Sequence, residues 1–103
     1  MFRTQQYSTK HINSNLSSLI LVGYSTLAGG ATINANGYVA YPAPIAPEGY
    51  RYVAINASCT GANNTNVVGL WDSYGGSIIF RNLTSASINT GRLSWFGICV
   101  KNI

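Results

Sequence analysis

The sequence predicts an all-β fold, a compact antiparallel β-sandwich. Apolar residues recur with period two, and no stretch carries a helical period. The apolar stretches are short, and Gly, Pro and Asn punctuate them at intervals of roughly 8–12 residues, a spacing that suits six or seven strands. One hairpin, over residues 66–82 (NVVGLWDSYGGSIIFRN), organises the rest.

Taken in order, residues 1–17 are polar and without periodicity, which predicts a lead-in or linker before a domain over residues 18–103. Residues 19–27 alternate Leu19, Leu21 and Gly23 against Ile20, Val22 and Tyr24, the pattern of a strand covered on both faces. A second strand is expected over residues 31–35, with Ile33 on one side and Thr32 on the other. Asn36-Gly37 then marks a turn or bulge, because both residues tolerate left-handed φ. Residues 38–41 extend the strand to Pro42, whose missing N–H ends a central ladder. The segment 42–49, PAPIAPEG, can only be a loop, and a stiff one.

Residues 50–59 form a strand with Val53, Ile55, Ala57 and Cys59 inward and Tyr52, Asn56 and Ser58 outward. After a polar loop comes the hairpin, with arms over residues 67–74 and 77–83 and a tight Gly75-Gly76 turn, where positive φ matches strand twist. Both arms are apolar on both faces: Val68 and Leu70 alternate with Val67 and Trp71, and Ile78 and Phe80 with Ile79. A strand with one wet face should alternate apolar and polar residues, so this hairpin asks for cover on two sides. Residues 84–91 are a polar connection. The last strand, residues 93–101, sets Phe96, Ile98 and Val100 against Trp95, Gly97 and Cys99.

Composition narrows the function. Charged residues make up 8% of the 103, against about 25% in ordinary soluble domains. Asn, Ser, Thr, Gly and Tyr replace them, and the strongest apolar run, residues 19–22, falls far short of the roughly 20 residues of a membrane helix. A weakly charged soluble chain of this kind is expected to hide surface in an assembly, without membrane insertion. Its formal charge of +4 comes from Arg3, Lys10, Arg51, Arg81, Arg92 and Lys101, scattered singly. A nucleic-acid surface would cluster them with aromatics between, so no nucleic-acid partner is expected.

Cys59 and Cys99 lack the paired short spacings of a metal site and read as small hydrophobes, their bonding left open. The opening residues show no signal peptide. Four Asn-x-Ser/Thr sequons, at Asn15, Asn56, Asn63 and Asn82, are what chance yields in a chain this rich in those residues.

The order of motifs resembles a known family. NANGYVAYPAPIAPEGYRYVAIN, an Asn/Ser-rich loop, then NVVGLWDS, IIFRNLTSASIN and LSWFGICVK resemble the C-terminal tip domains of tail fibres and receptor-binding proteins. The family is that of phages infecting Gram-positive, often gut, bacteria. The matching elements are the Pro47-Glu48-Gly49-Tyr50 turn, the strand Val53-Ala54-Ile55, Arg81-Asn82-Leu83-Thr84, and a final aromatic and aliphatic strand over residues 95–101. The likeness spans residues 19–101; its motifs are short, and the specificity lies in their order and spacing. It implies a compact, jelly-roll-like sandwich, a homotrimer on an upstream fibre segment, and binding to a host-surface saccharide from the virion tip, outside the cell. It carries over no ligand-contact residues.

Catalysis finds little footing. Glu48 and Asp72 are the only carboxylates, whereas a glycosidase needs a pair about 5–9.5 Å apart. They could meet only across chains of a trimer. The only histidine, His11, lies in the lead-in, so a Ser or Cys nucleophile has no base. No enzyme, cofactor or metal is expected. Sugar binding would combine an aromatic face with Asn, Asp or backbone groups. The candidates are Trp71, Asp72 and Tyr74 before the turn and Asn63 and Asn64 in the loop before the hairpin. Each has a structural reading beside it: Trp71 as core, Asp72 bonding local amides to shape the turn, Tyr74 packing at the rim. A trimerisation or capping domain without ligand binding is the alternative function.

Overall fold

A computed structural model describes residues 22–102 of the chain. The expected lead-in with His11, and the first residues of the first expected strand, lie outside the described residues. Eight strands follow in order: β1 (Val22–Ala28), β2 (Thr32–Ile33), β3 (Tyr38–Pro42), β4 (Tyr50–Thr60), β5 (Val67–Asp72), β6 (Ser77–Asn82), β7 (Ile88–Asn89) and β8 (Arg92–Lys101). No helix occurs among the described residues. The fold is all-β, and every strand pairing is antiparallel.

Three sheets result, ordered β1-β8-β4, β2-β7 and β3-β6-β5. In the first, Leu93, Trp95, Gly97 and Cys99 of β8 point inward beside Cys59, Ala57, Ile55 and Tyr52 of β4. In the third, β6 supplies Ile78 and Phe80, with Val39 and Tyr41 on one flank and Val67 and Trp71 on the other. Both three-stranded sheets feed one core of Ile33, Val67, Ile78, Phe80, Leu93 and Trp95. Trp95 from the first sheet stacks on Tyr41 from the third, ring centroids 5.2 Å apart, and sits 5.9 Å from Phe80. Burying such aromatic surface is the main favourable term in so small a fold.

The two sheets come closest where β4 lies against β5. A Cβ on Gly69 would stand 2.5 Å from the Ala57 carbonyl oxygen and 2.7 Å from its Cβ, so only glycine admits the contact. β4 and β5 thereby cover one another, although they are not hydrogen-bonded neighbours.

Four expectations need correction. The hairpin turn is four residues, 73–76, and not two; β5 stops at Asp72, which pairs with Ser77. Asp72 ends the strand because its carboxylate captures the next amides. β4 does not keep strict alternation: its register shifts between Tyr52 and Ala54, turning Val53 outward, half-exposed, and Tyr52 inward against Trp71 and over Gly97. Residues 31–41 are not one strand. The turn in which the Gly37 amide donates to the Asn34 carbonyl, with Asn36 at φ 54°, moves the chain from the β2-β7 sheet to β3. Finally, the polar connection over residues 84–91 contains β7, paired with β2.

The hairpin is apolar on both faces as read from its sequence. Val68, Leu70 and Ile79 point away from the core beside Tyr38 and Ala40 of β3. Leu70 and Tyr38 are exposed there, and the Arg81 guanidinium lies over the Tyr38 ring at 5.3 Å. On the opposite sheet, Val53, Phe96 and the half-buried Ile98 form a second outward apolar group.

Candidate functional site

The residues singled out for binding fall at two ends of the molecule. β5 separates them, with Asn63 and Asn64 before its first residue and Asp72 and Tyr74 at and beyond its last. Six strand residues span roughly 20 Å. The structure therefore brings Trp71, Asp72 and Tyr74 together and leaves the asparagine pair at the other end.

At the hairpin-turn end, Asp72 Oδ1 accepts the Tyr74 amide at 3.1 Å and the Gly75 amide at 2.9 Å. The Gly76 amide, with φ 75°, donates to the Asp72 carbonyl at 2.8 Å. This is the local turn chemistry expected of Asp. It leaves the Tyr74 side chain wholly exposed, projecting from a turn that its amide alone helps to hold. Trp71 is half-buried against Tyr52, centroids 6.4 Å apart at 67°. The proline loop docks beside the turn through the Ala43 amide on the Gly76 carbonyl, and carries Ile45, 91% exposed. Glu48 is exposed in the same loop, and Arg51 Nη1 donates to Asn102 Oδ1 at 3.2 Å.

The other end is built differently. Its centre is Asn82, 1% exposed, at the inward position that follows Ile78 and Phe80 in alternation. Its Nδ2 reaches the carbonyls of Ile33 and Asn34 at 3.0 Å and of Ala86 at 2.9 Å, two hydrogens shared among three acceptors. Its Oδ1 accepts the Thr84 amide and hydroxyl, each at 2.8 Å. Thr90, also buried, accepts the Ala31 amide and donates to the Gly91 carbonyl.

Three loops at this end are tied in a row. The Asn36 amide donates to the Thr84 carbonyl and the Leu83 amide to the Asn66 carbonyl, both at 2.9 Å. Asn63, at φ 60°, is spent inside this frame: its Nδ2 donates to the Asn89 carbonyl at 2.7 Å and its Oδ1 accepts Asn66 Nδ2. Asn64 is exposed, and among the described residues its side chain is engaged in no hydrogen bond.

In the sequence Asn82 stands out only inside a family-like motif and as a sequon, Asn36 only as half of a turn signal with Gly37, and Thr90 not at all. A signal for Asn82 was present: period two carries the inward face of β6 straight onto it, and a polar residue at a core position must be hydrogen-bonded. Its amide is used up in the interior, which closes that sequon to a glycan.

The two thiols are free and far apart. Cys59 pairs with Leu93 at the loop end and Cys99 with Tyr52 toward the turn end, six β8 residues or about 20 Å away, beyond the roughly 7 Å reach of a disulfide. Burial without a polar partner raises the Cys99 thiol above the usual range. Among the described residues no group of three or more His, Cys, Asp or Glu is placed to hold a metal ion. Compared with family models, with curated proteins and with solved structures, the chain finds no match.

Proposed function

We propose that this chain is the adhesion tip of a phage tail fibre, recognising saccharide on the surface of a Gram-positive host without catalysis, cofactor or metal. The observation that carries the reading is a stiff β framework that presents uncommitted polar side chains on braced loops. Binding to a polyhydroxylated ligand is favoured when amides and hydroxyls are pre-positioned, because little ordering then opposes association. The motif order shared with fibre tips agrees with it, and Arg81-Asn82-Leu83-Thr84 contains the residue that braces the loops. We read the two facing sheets as a sandwich. The outward side chains Tyr38, Val68, Leu70 and Ile79 of one sheet are read as the subunit contact of a homotrimer on an upstream fibre segment.

A trimerisation or capping domain without a ligand is the second reading, favoured by the apolar outer faces of both sheets. Two measurements separate the possibilities. Labelled protein added to Gram-positive host cells should bind in a manner competed by their extracted wall polysaccharide; absence of labelling leaves only the structural role. Light scattering at micromolar concentration should give three times the chain mass, and a monomer would remove the subunit contact from the proposal.

A further inference from the structure

The geometry points to the three-loop end as the saccharide site, with Asn36, Asn64, Thr65, Leu83 and Ser85 as its contact residues. This inference rests on the saccharide-binding reading above and decides which end serves it. The first observation is topological. β1 begins at Val22, paired with Cys99, two residues along β8 from the Tyr50–Lys101 pair and so at the hairpin-turn end. The polypeptide before Val22 reaches the fold there. On a fibre that end faces the shaft, and the loops at residues 34–37, 61–66 and 83–87 face away from it.

The second observation is what those loops hold ready. Leu83 sits in the middle of the row, 58% exposed, tied to Asn66 through its amide. Asn36 flanks it through Thr84, and Asn64 and Thr65 flank it through the 61–66 loop. The side chains of Asn36, Asn64, Thr65 and Ser85 are exposed and make no hydrogen bond among the described residues. The loops that carry them are braced at neighbouring residues, by Asn82 at Asn34, Thr84 and Ala86 and by Asn63 at Asn66 and Asn89. One exposed leucine ringed by amides and hydroxyls matches a sugar ring, which offers C–H surface and hydroxyls together.

The third observation is charge. Glu48 and Asp72, the chain's only acids, both lie at the other end, and these three loops contain no charged residue, although Arg81, laid over Tyr38, and exposed Arg92 stand at the strand ends beside them. The five contact residues are themselves uncharged, Arg81 is engaged with Tyr38, and the ligand class inferred is a neutral saccharide. At the turn end, by contrast, Asp72 Oδ1 is committed to two amides and Tyr74 stands alone.

Amide-detected NMR of the full ¹⁵N-labelled chain tests this, with glucose, galactose, rhamnose and N-acetylglucosamine as neutral probes and glycerol phosphate as the anionic one. The expected result is shifts confined to residues 34–37, 61–66 and 83–87 with a neutral sugar. Asn64→Ala, and Asn36→Gly, which keeps the positive φ, should each weaken that binding about tenfold, the worth of one hydrogen bond. Tyr74→Ala should leave it unchanged. Native-like spectra of the variants control for folding. Shifts at residues 43–49 and 72–76, or affinity lost in Tyr74→Ala and kept in Asn64→Ala, overturn the assignment while saccharide binding stands. Response to glycerol phosphate alone overturns the neutral class. No shift with any probe overturns this site and the saccharide reading together.

Discussion

The two ends of the molecule solve the same problem, satisfying backbone groups where strands stop, by opposite means. At the hairpin turn one carboxylate bonds amides two and three residues away, and the solution is local. At the loop end Asn82 bonds carbonyls 48 and 49 positions back in the chain, and Thr90 holds an amide 59 residues away. A local device can be lost with little consequence beyond its own turn. A long-range one carries several loops, so its loss spreads. The difference also bears on binding: the distant network fixes loops whose outer side chains remain free, whereas the local turn leaves one mobile-length aromatic unsupported.

Removing the hub should give the largest effect. Asn82→Ala takes the partner from the Ile33 carbonyl and the Thr84 amide, while the Asn34 carbonyl keeps the Gly37 amide and the Ala86 carbonyl keeps the Thr84 hydroxyl. At about 1–3 kcal/mol for each buried unsatisfied group the loss should be about 2–6 kcal/mol. Against a total stability of about 5–15 kcal/mol, urea unfolding should show a chain near collapse. Retention of nearly full stability would mean that the loops at this end hold one another without it. Gly69→Ala comes next, because the new methyl meets Ala57 backbone midway between the ends. A cost of about 1–3 kcal/mol is expected for such overpacking, visible as a lowered Tm; an unchanged Tm would show that the sheets can part there freely.

Asp72→Ala should cost only about 1 kcal/mol, with hydrogen-exchange protection lost at Tyr74 and Gly75 and kept at the loop end. Loss of protection at both ends would break the contrast. The thiols perturb the fold least and sharpen it further. Native alkylation should modify half-buried Cys59 and spare buried Cys99. Because burial raises the Cys99 thiol, the unfolded chain releases that proton first as pH climbs through the ordinary thiol range near about 8.5. Stability attached to the neutral thiol is whole below that range and declines above it. Equal labelling of both cysteines in the folded state, followed by mass spectrometry, would contradict this placement.

Much of the fold was legible in the residues because period-two alternation and turn chemistry are local. The alternation of Ile78 and Phe80 with Ile79, the stop at Pro42, and the turn role of Asp72 follow from side-chain geometry within a few positions. Val53 and Tyr52 were misplaced because a one-residue bulge reverses every inward assignment beyond it, and nothing in YRYVAIN marks where it falls. β7 went unread since two residues carry no period, and its existence depends on β2, more than fifty positions earlier.

The candidate site divided in the same way. That Trp71, Asp72 and Tyr74 stand together was determined by adjacency in the chain. That Asn63 and Asn64 stand a strand's length from them was decided by β5 running straight between, since a strand carries its two flanking loops to opposite ends. The sequence by itself determined the all-β class, the doubly apolar hairpin and the near-absence of charge, all properties of composition and short-range period. Only the tertiary structure decided that Asn36, Leu83 and Asn64 share one rim, and that Asn82 is the buried hub beneath them. Hydrogen bonds spanning forty to sixty residues leave no periodic trace in the chain that makes them.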